Sequence, residues 1–138
     1  MKLLNKTRSL ALITLSAVIF LSSCNKDKMI PPTIDFTTTA GYTSADAHIA
    51  LITAFKIGVD AKRTESKDDL KTFSVTRSYD GAAATTVENL TLTSAQAAEF
   101  TKDYPFTTRN VAGTEKYTFT VTNRDGLITT KSITITVP

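Results

Sequence analysis

Apolar and polar side chains alternate along most of the chain beyond residue 32, with the period of two that is typical of half-buried β-strands. The run 54–62 is the clearest example in the first half, and 116–122 is the clearest in the second. The pattern predicts a short helical turn at 94–99 and strands at 33–37, 54–62, 70–79, 87–92, 99–108, 116–122 and 127–137.

The connections between these runs favour an antiparallel arrangement. Asp125-Gly126 lies between the last two runs, and Asp-Gly at such a place is a strong hairpin signal. Threonine is abundant throughout, as suits a β-branched residue on the solvent face of a sheet. About seven strands in roughly 105 residues, without a long helix, predict an all-β fold of the β-sandwich type.

The last two predicted strands resemble the end of a known family. Tyr117-x-Phe119-x-Val121-x-Asn123, then Asp125-Gly126 and the run 132–137, is similar to the bacterial PKD/cadherin-like type of immunoglobulin-like domain. The resemblance implies that Tyr117 begins the penultimate strand and forms a tyrosine-corner-like hydrogen bond. It extends over 115–137, whereas 33–114 agrees only in strand number and spacing.

The first 23 residues have the pattern of an export signal. Three cationic residues and no acid lie within residues 1–9, and a 12-residue apolar run follows at 10–21. A helix that spans a bilayer needs about 20 apolar residues, so this run is too short. Its length is that of the apolar region of a signal peptide.

The apolar run ends in Leu21-Ser22-Ser23-Cys24, which resembles a bacterial lipobox. The resemblance implies cleavage before Cys24 and lipid attachment to its thiol. The predicted organisation is therefore a removed signal at 1–23, a lipidated cysteine with a short tether at 24–32, and an immunoglobulin-like domain at 33–138. Pro31 and Pro32 make the tether extended and semi-rigid, so that the domain is expected close to a membrane.

The residues after Cys24 bear on location. Asn25 replaces the aspartate of the inner-membrane retention signal of many Gram-negative bacteria, so the outer membrane is expected. The side that the domain faces, periplasm or cell surface, stays open. The whole chain resembles small immunoglobulin-like lipoproteins of the cell envelope of Bacteroidota-type bacteria.

The net charge of +3 does not indicate an anionic partner. Three of the 16 cationic residues lie in the signal, which leaves 13 cationic against 13 acidic side chains in the remainder. The remaining cations are scattered, without the basic stripe of a nucleic-acid-binding surface. Nucleic acid is therefore not expected as a partner.

Candidate catalytic groups are few. His48 is the single histidine, and no Gly-x-Ser-x-Gly motif accompanies it. The acid pairs Asp68/Asp69 and Glu99/Asp103 are the candidates for glycosidase chemistry, but a solvated turn is the favoured interpretation for each. We therefore expect no catalytic residue and no enzyme.

Metal and cofactor sites are not expected either. Zinc needs ligands besides His48, and Cys24 is assigned to lipid. Asp80 and Asp125 each precede a glycine and are interpreted as turn formers, with a calcium site as the alternative. The glycines are dispersed, so no phosphate-binding loop is expected.

Two aromatic residues are the candidates for ligand binding. Tyr104 and Phe106 flank Pro105 near a predicted strand end and could dock a glycan or peptide, although ordinary packing is the alternative. The leading hypothesis is a non-enzymatic, membrane-anchored binding module of the cell envelope, whose partner is a glycan, a peptide or an outer-membrane protein. The second hypothesis is a structural or adhesion subunit that pairs through a sheet edge.

Overall fold

The computed structural model of the protein describes residues 28–138, which form two packed β-sheets. The elements in chain order are β1 Thr33–Phe36, β2 Ala47–His48, β3 Ala54–Lys62, β4 Leu70–Tyr79, β5 Thr85–Thr91, a 3₁₀-turn Ser94–Gln96, β6 Glu99–Thr107, β7 Gly113–Asn123 and β8 Ile128–Val137. The small sheet has the order β1-β3-β6, and the large sheet has the order β2-β8-β7-β4-β5. The prediction of an all-β sandwich is confirmed.

The strand boundaries follow the alternation of the sequence closely. β3 and β4 have the predicted bounds, whereas β7 begins at Gly113, three residues before its prediction. β2 was not predicted, because two residues are too few to alternate. It pairs in parallel with β8, with Ala47 opposite Ile135, and every other strand pair is antiparallel.

The core lies between the sheets and is rich in aromatic rings. Phe73 and Phe119 are fully buried on the large sheet, and Phe100 and Tyr104 face them from the small sheet. The Phe73 and Phe100 ring centroids are 4.8 Å apart, within the range of favourable ring pairs. This aromatic packing joins the two layers.

The sandwich has two ends, which we name by where the chain enters. Thr33, the first residue of β1, lies opposite Lys62, the last residue of β3. The entry end therefore consists of residues 28–32, the connections 63–69, 92–98 and 124–127, and the start of β8 at Ile128. The far end consists of the connections 49–53, 80–84 and 108–112.

A loop crosses the outer face of the small sheet and closes on a glycine. The Tyr42 hydroxyl donates to Asp103 at 2.8 Å, and the Lys56 ammonium lies 4.0 Å from the Tyr42 ring centroid. A Cβ atom at Gly58 would lie 2.7 Å from Tyr42 Cε1 and 2.4 Å from Thr37 Oγ1. Gly58 is therefore required for the close approach of this loop.

Replacement of Gly58 with alanine is expected to lower the free energy of unfolding by about 1–3 kcal/mol, the usual cost of overpacking. The added methyl group meets Thr37 as well as Tyr42, so only part of the cost should disappear when Tyr42 is also replaced with alanine. Urea unfolding followed by circular dichroism measures both. Thr101→Ala, an exposed change on the same face, is the control and should stay within about 0.5 kcal/mol of the parent. Equal losses of unfolding free energy for Gly58→Ala and Thr101→Ala would contradict the prediction.

Candidate functional site

The two aromatic residues chosen from the sequence lie in the core region. Tyr104 is 5% exposed, and its hydroxyl donates to Glu88 Oε2 at 2.7 Å. Phe106 is half-buried, with its ring centroid 4.2 Å from that of Tyr117. The structure therefore places both rings in the packing that was the alternative to ligand binding.

The acidic residues proposed as catalytic pairs form ion pairs with lysine or arginine side chains instead of facing each other. Asp69 pairs with Arg63 at 2.6 Å, Glu99 with Lys62 at 3.2 Å, and Asp103 with Lys56 at 3.2 Å. Asp68 is buried, and its Oδ1 lies 3.7 Å from Arg124 Nη2. His48 is an exposed residue of β2. Cys24 lies outside the described residues.

The two Asp-Gly turns are formed as predicted. Asp80 has a φ of +50° and accepts the Thr114 amide at 2.7 Å, so its carboxylate joins the β4–β5 turn to β7. Asp125 lies in the β7–β8 turn beside Arg124, with 3.5 Å between Oδ1 and Nε. Each carboxylate thus has a local structural contact.

A polar cluster that the sequence did not predict lies at the far end. Glu115 is fully buried, and its Oε1 accepts the Arg109 amide at 2.8 Å and the Arg109 Nε at 3.2 Å. Its Oε2 accepts the Tyr117 hydroxyl at 2.7 Å. Arg109 also pairs with Asp80 at 3.0 Å and lies 4.1 Å from the Tyr79 ring centroid. These contacts attach the 108–112 connection to the large sheet.

The Tyr117 hydroxyl corrects one expectation from the resemblance. A tyrosine corner donates to a backbone carbonyl a few residues upstream. Here the acceptor is the side chain of Glu115, two residues before the tyrosine. An ionised carboxylate is the stronger acceptor, because charge-assisted hydrogen bonds exceed neutral ones.

Hydrogen bonds and burial shift the pKa values of two groups in this cluster. The Thr114 amide, and after it the Arg109 guanidinium, lower the pKa of Asp80 below its ordinary value. Burial, and after it the hydrogen bond to Glu115, raise the pKa of Tyr117. At neutral pH the tyrosine is therefore protonated and donates, and Asp80 is ionised and accepts.

Three exposed apolar side chains lie on connections at the same end of the sandwich as this polar cluster. Leu51 is 42% exposed, Ile52 63% and Val111 61%. The two connections that carry them are tied together, since the Ile52 amide donates to the Arg109 carbonyl at 3.3 Å and Thr108 Oγ1 donates to the Ala50 carbonyl at 2.6 Å. We call Leu51, Ile52 and Val111 the far-end patch.

The backbone at Ile52 is strained. Its φ is +50°, a region that a β-branched residue rarely adopts. The left-handed conformation costs about 1–2 kcal/mol for a residue with a Cβ atom. Such strain persists where the surroundings impose it, and it is concentrated at functional sites. The most exposed large apolar side chain of the described residues is therefore also held at an energetic cost.

One sequence signal could have indicated the polar cluster. Glu115 occupies the same phase as Tyr117, Phe119 and Val121, so alternation puts its carboxylate on the buried face. The predicted strand began at Lys116 and left Glu115 out. No comparable signal exists for Arg109, because the 108–112 connection has no period.

Residues 28–138 contain no group of three or more histidine, cysteine, aspartate and glutamate side chains that could hold a metal ion. Within the same range, no helix is long and apolar enough to cross a membrane.

Comparisons with known proteins bear on the fold. No protein-family model matches the chain, and no curated protein matches it. A superoxide reductase (neelaredoxin) from Ignicoccus hospitalis superposes with a TM-score of 0.54 at 6% identity, over 83% of this chain and 89% of that one. A second structure, of a single-residue variant of that reductase, gives a TM-score of 0.52 at 9% identity, over 78% of this chain and 80% of that one. At these identities the likeness shows the fold alone.

This likeness corrects the expectation that the chain is not an enzyme. That expectation rested on the β-sandwich and on missing motifs, but the sandwich is similar in fold to superoxide reductases, which are enzymes. A fold does not decide the chemistry, because activity resides in side chains that can be placed on many scaffolds. The β-sandwich is therefore no evidence against an enzyme.

Proposed function

We propose that the protein is a bacterial lipoprotein, anchored to the cell envelope through lipid on Cys24, that binds a partner protein at the far end of its sandwich. The lipobox supports the anchor, and the absence of an aspartate after Cys24 favours the outer membrane. Two or three acyl chains would hold the protein durably, since one alone binds only marginally.

The sandwich is, in this proposal, immunoglobulin-like. Three features support this: β1, β3 and β6 share one sheet, β4, β7 and β8 share the other, and β5 extends the second sheet beyond β4. This is the distribution of strands A, B and E against C, F and G, with C′ added. In variable domains of that family, the connections after strands B, C′ and F carry the binding surface, and their counterparts here lie at the entry end. The far-end proposal therefore rests on the exposed side chains described next and not on this precedent.

The observation that carries the proposal is the position of the far-end patch. The chain enters at one end of the sandwich, so an anchored domain presents its opposite end to partners. Leu51, Ile52 and Val111 are exposed there on connections that hydrogen bonds hold in place. Exposed apolar side chains that lie together can mark a protein–protein contact, and a rigid support reduces the entropy lost when they bind.

Photo-crosslinking in cells of the native host tests this. A photoreactive amino acid at position 111 should give a discrete crosslinked protein, and Ile52→Asn should strongly reduce that product. Asparagine tolerates a positive φ, so the same change should leave the free energy of unfolding unchanged or raise it by up to about 1 kcal/mol. Loss of binding without loss of stability would identify Ile52 as a contact residue.

Two controls accompany this experiment. Cys24→Ala should release the protein from the membrane fraction. Thr130, exposed on the outer face of the large sheet, is the control position for the photoreactive residue and should give no product. The proposal of far-end binding is wrong if position 111 gives no more product than position 130. The anchor is wrong if Cys24→Ala fractionates like the parent.

A second function, strand addition at a sheet edge, is favoured by one observation. Among the four edge strands, β1 and β2 are short and β6 carries Pro105 and three charged residues, whereas β5 has seven residues, no proline and one charge. Prolines, charges and short length are what normally protect an edge. The photoreactive residue placed at Asn89 in β5 decides between the two: a product there and none at 111 favours edge pairing.

A further inference from the structure

The exposed large apolar side chains of residues 28–138 are concentrated at the two ends of the sandwich. Three form the far-end patch, and three more lie at the entry end: Met29 at 55% exposure, Ile30 at 38% and Ile128 at 59%. The seventh, Val87, lies on β5. We infer that the entry end rests directly on the lipid surface, with Ile30 and Ile128 in the headgroup region. This inference depends on the proposed anchor at Cys24.

The segment before β1 is attached to the sandwich. Both oxygens of Glu65 accept backbone amides from it, Lys28 at 3.4 Å and Ile30 at 3.3 Å. Thr64 Oγ1 donates to the Pro31 carbonyl at 2.7 Å, and Thr129 Oγ1 donates to the Pro32 carbonyl. The part of the predicted tether from residue 28 onward is thus docked on the 63–65 connection and on β8.

The remaining chain is too short to hold the domain away from a bilayer. Cys24 precedes Lys28 by four residues, which span at most about 14 Å when fully extended. The acyl chains of a lipidated cysteine start at the base of the headgroup layer, which is roughly 5–8 Å thick. Lys28 can therefore lie no more than about 9 Å beyond the headgroups, whatever the conformation of the residues between.

The side chains at the entry end are suited to that layer. Apolar residues gain free energy when they leave water, and long cations can place their charge among the phosphates. Arg124, whose side chain is 57% exposed, lies four residues before Ile128. Glu65 and Asp125 at the same end offset the cations, so we expect contact with neutral and anionic lipids alike.

The lipidated full-length protein in vesicles tests the inference, because Cys24 is the only cysteine and an introduced cysteine is then the single free thiol. Ile30→Cys and Ile128→Cys, each labelled with an environment-sensitive dye, should show blue-shifted emission. Lipids that carry a quencher at the depth of the headgroups should reduce the intensity of that emission. Ile52→Cys and Val87→Cys are the matched controls and should show neither effect. Vesicles of phosphatidylcholine alone and of phosphatidylethanolamine with phosphatidylglycerol should give the same result.

Each other outcome overturns the inference in a distinguishable way. If mass spectrometry finds no acyl groups on Cys24, the anchor and the inference both fail. If the acylated protein floats with vesicles but the quencher acts equally at 30, 128 and 52, only the seating of the entry end fails. A blue shift that depends on protein density and not on the quencher would mean that a second copy covers this end instead of lipid.

Discussion

Replacement of Arg109 with methionine should lower the free energy of unfolding by about 3 kcal/mol. The change keeps the apolar stem of the side chain but removes the charge that faces the fully buried Glu115. Breaking one side of a buried ion pair costs about 3–5 kcal/mol, because the remaining charge stays desolvated. We expect the lower value, since Arg109 is 22% exposed and the Tyr117 hydroxyl still donates to Glu115.

Chemical unfolding of the unlipidated chain from residue 25 onward at pH 7 measures this loss. Lys131→Met is the control, because it removes an ion pair with Asp35 whose side chains are 44% and 75% exposed, and such pairs contribute about 0–1 kcal/mol. In an Arg109→Met/Glu115→Leu double variant the loss should be smaller than the sum of the two single losses. A loss for Arg109→Met no larger than that of the control would mean that the Glu115 carboxylate is not held as a buried charge.

The same cluster explains how the far-end patch is held in position. Arg109 connects Glu115 to Asp80, and its carbonyl accepts the amide of Ile52. The connection that carries Val111 and the one that carries Ile52 therefore share a support. Arg109→Met should weaken crosslinking at the far end as well as stability, whereas Ile52→Asn should weaken crosslinking alone.

The sequence predicted the strands because a strand buried on one face repeats every two residues. β3 and β4 have the predicted bounds, and both lie in this class. The two-residue β2 and the early start of β7 were missed, since one is too short to alternate and the other begins with Gly113 and Thr114 instead of apolar residues. Alternation therefore locates strand centres better than it locates strand ends.

The candidate site could not be predicted from the sequence in the same way. Tyr104 was chosen because it lies beside a proline near a strand end, yet the register of β6 turns its ring inward. Leu51 and Ile52 follow Ile49 and Ala50 as an apolar run that a core could have absorbed. In the structure both are exposed on a connection that hydrogen bonds attach to 108–109. Register and loop packing depend on contacts between distant segments, which a local pattern does not contain.

The two ends of the sandwich share a feature that lowers the stability of the folded chain. Ile52 keeps a strained backbone at the far end, where a glycine or asparagine would be more stable. At the entry end, Met29 also has a positive φ, of +54°, and is 55% exposed. Exposed apolar residues in strained conformations are costly to folding alone, and contact with another surface at each end would offset that cost.

Raising the pH above 10 should destabilise the protein steeply. The Tyr104 and Tyr117 hydroxyls are buried and donate to Glu88 and Glu115, and burial followed by these hydrogen bonds raises the pKa of both above the ordinary value of 10.0. Between pH 10 and the raised values, the folded chain keeps two protons that the unfolded chain loses. The contribution of these two hydroxyls to the free energy of unfolding is therefore fully present below pH 10. It falls as the pH rises above 10, by about 1.4 kcal/mol per pH unit for each tyrosine.

Chemical unfolding at a series of pH values from 8 to 11.5 gives this slope directly, and it should approach about 2.7 kcal/mol per pH unit. Tyr104→Phe and Tyr117→Phe should each remove about half of it. A smaller dependence should survive in the double variant, because hydrogen bonds to Tyr42 and Asp103 raise the pKa of Lys56 and those to Asp60 and Glu99 raise the pKa of Lys62. If the double variant keeps the parent's slope, the slope does not come from the two hydroxyls, and water reaches them and their carboxylate partners. The prediction is supported if the folded chain at pH 11 shows no tyrosinate absorbance from Tyr104 and Tyr117. Both hydroxyls then keep their protons and still donate to Glu88 and Glu115.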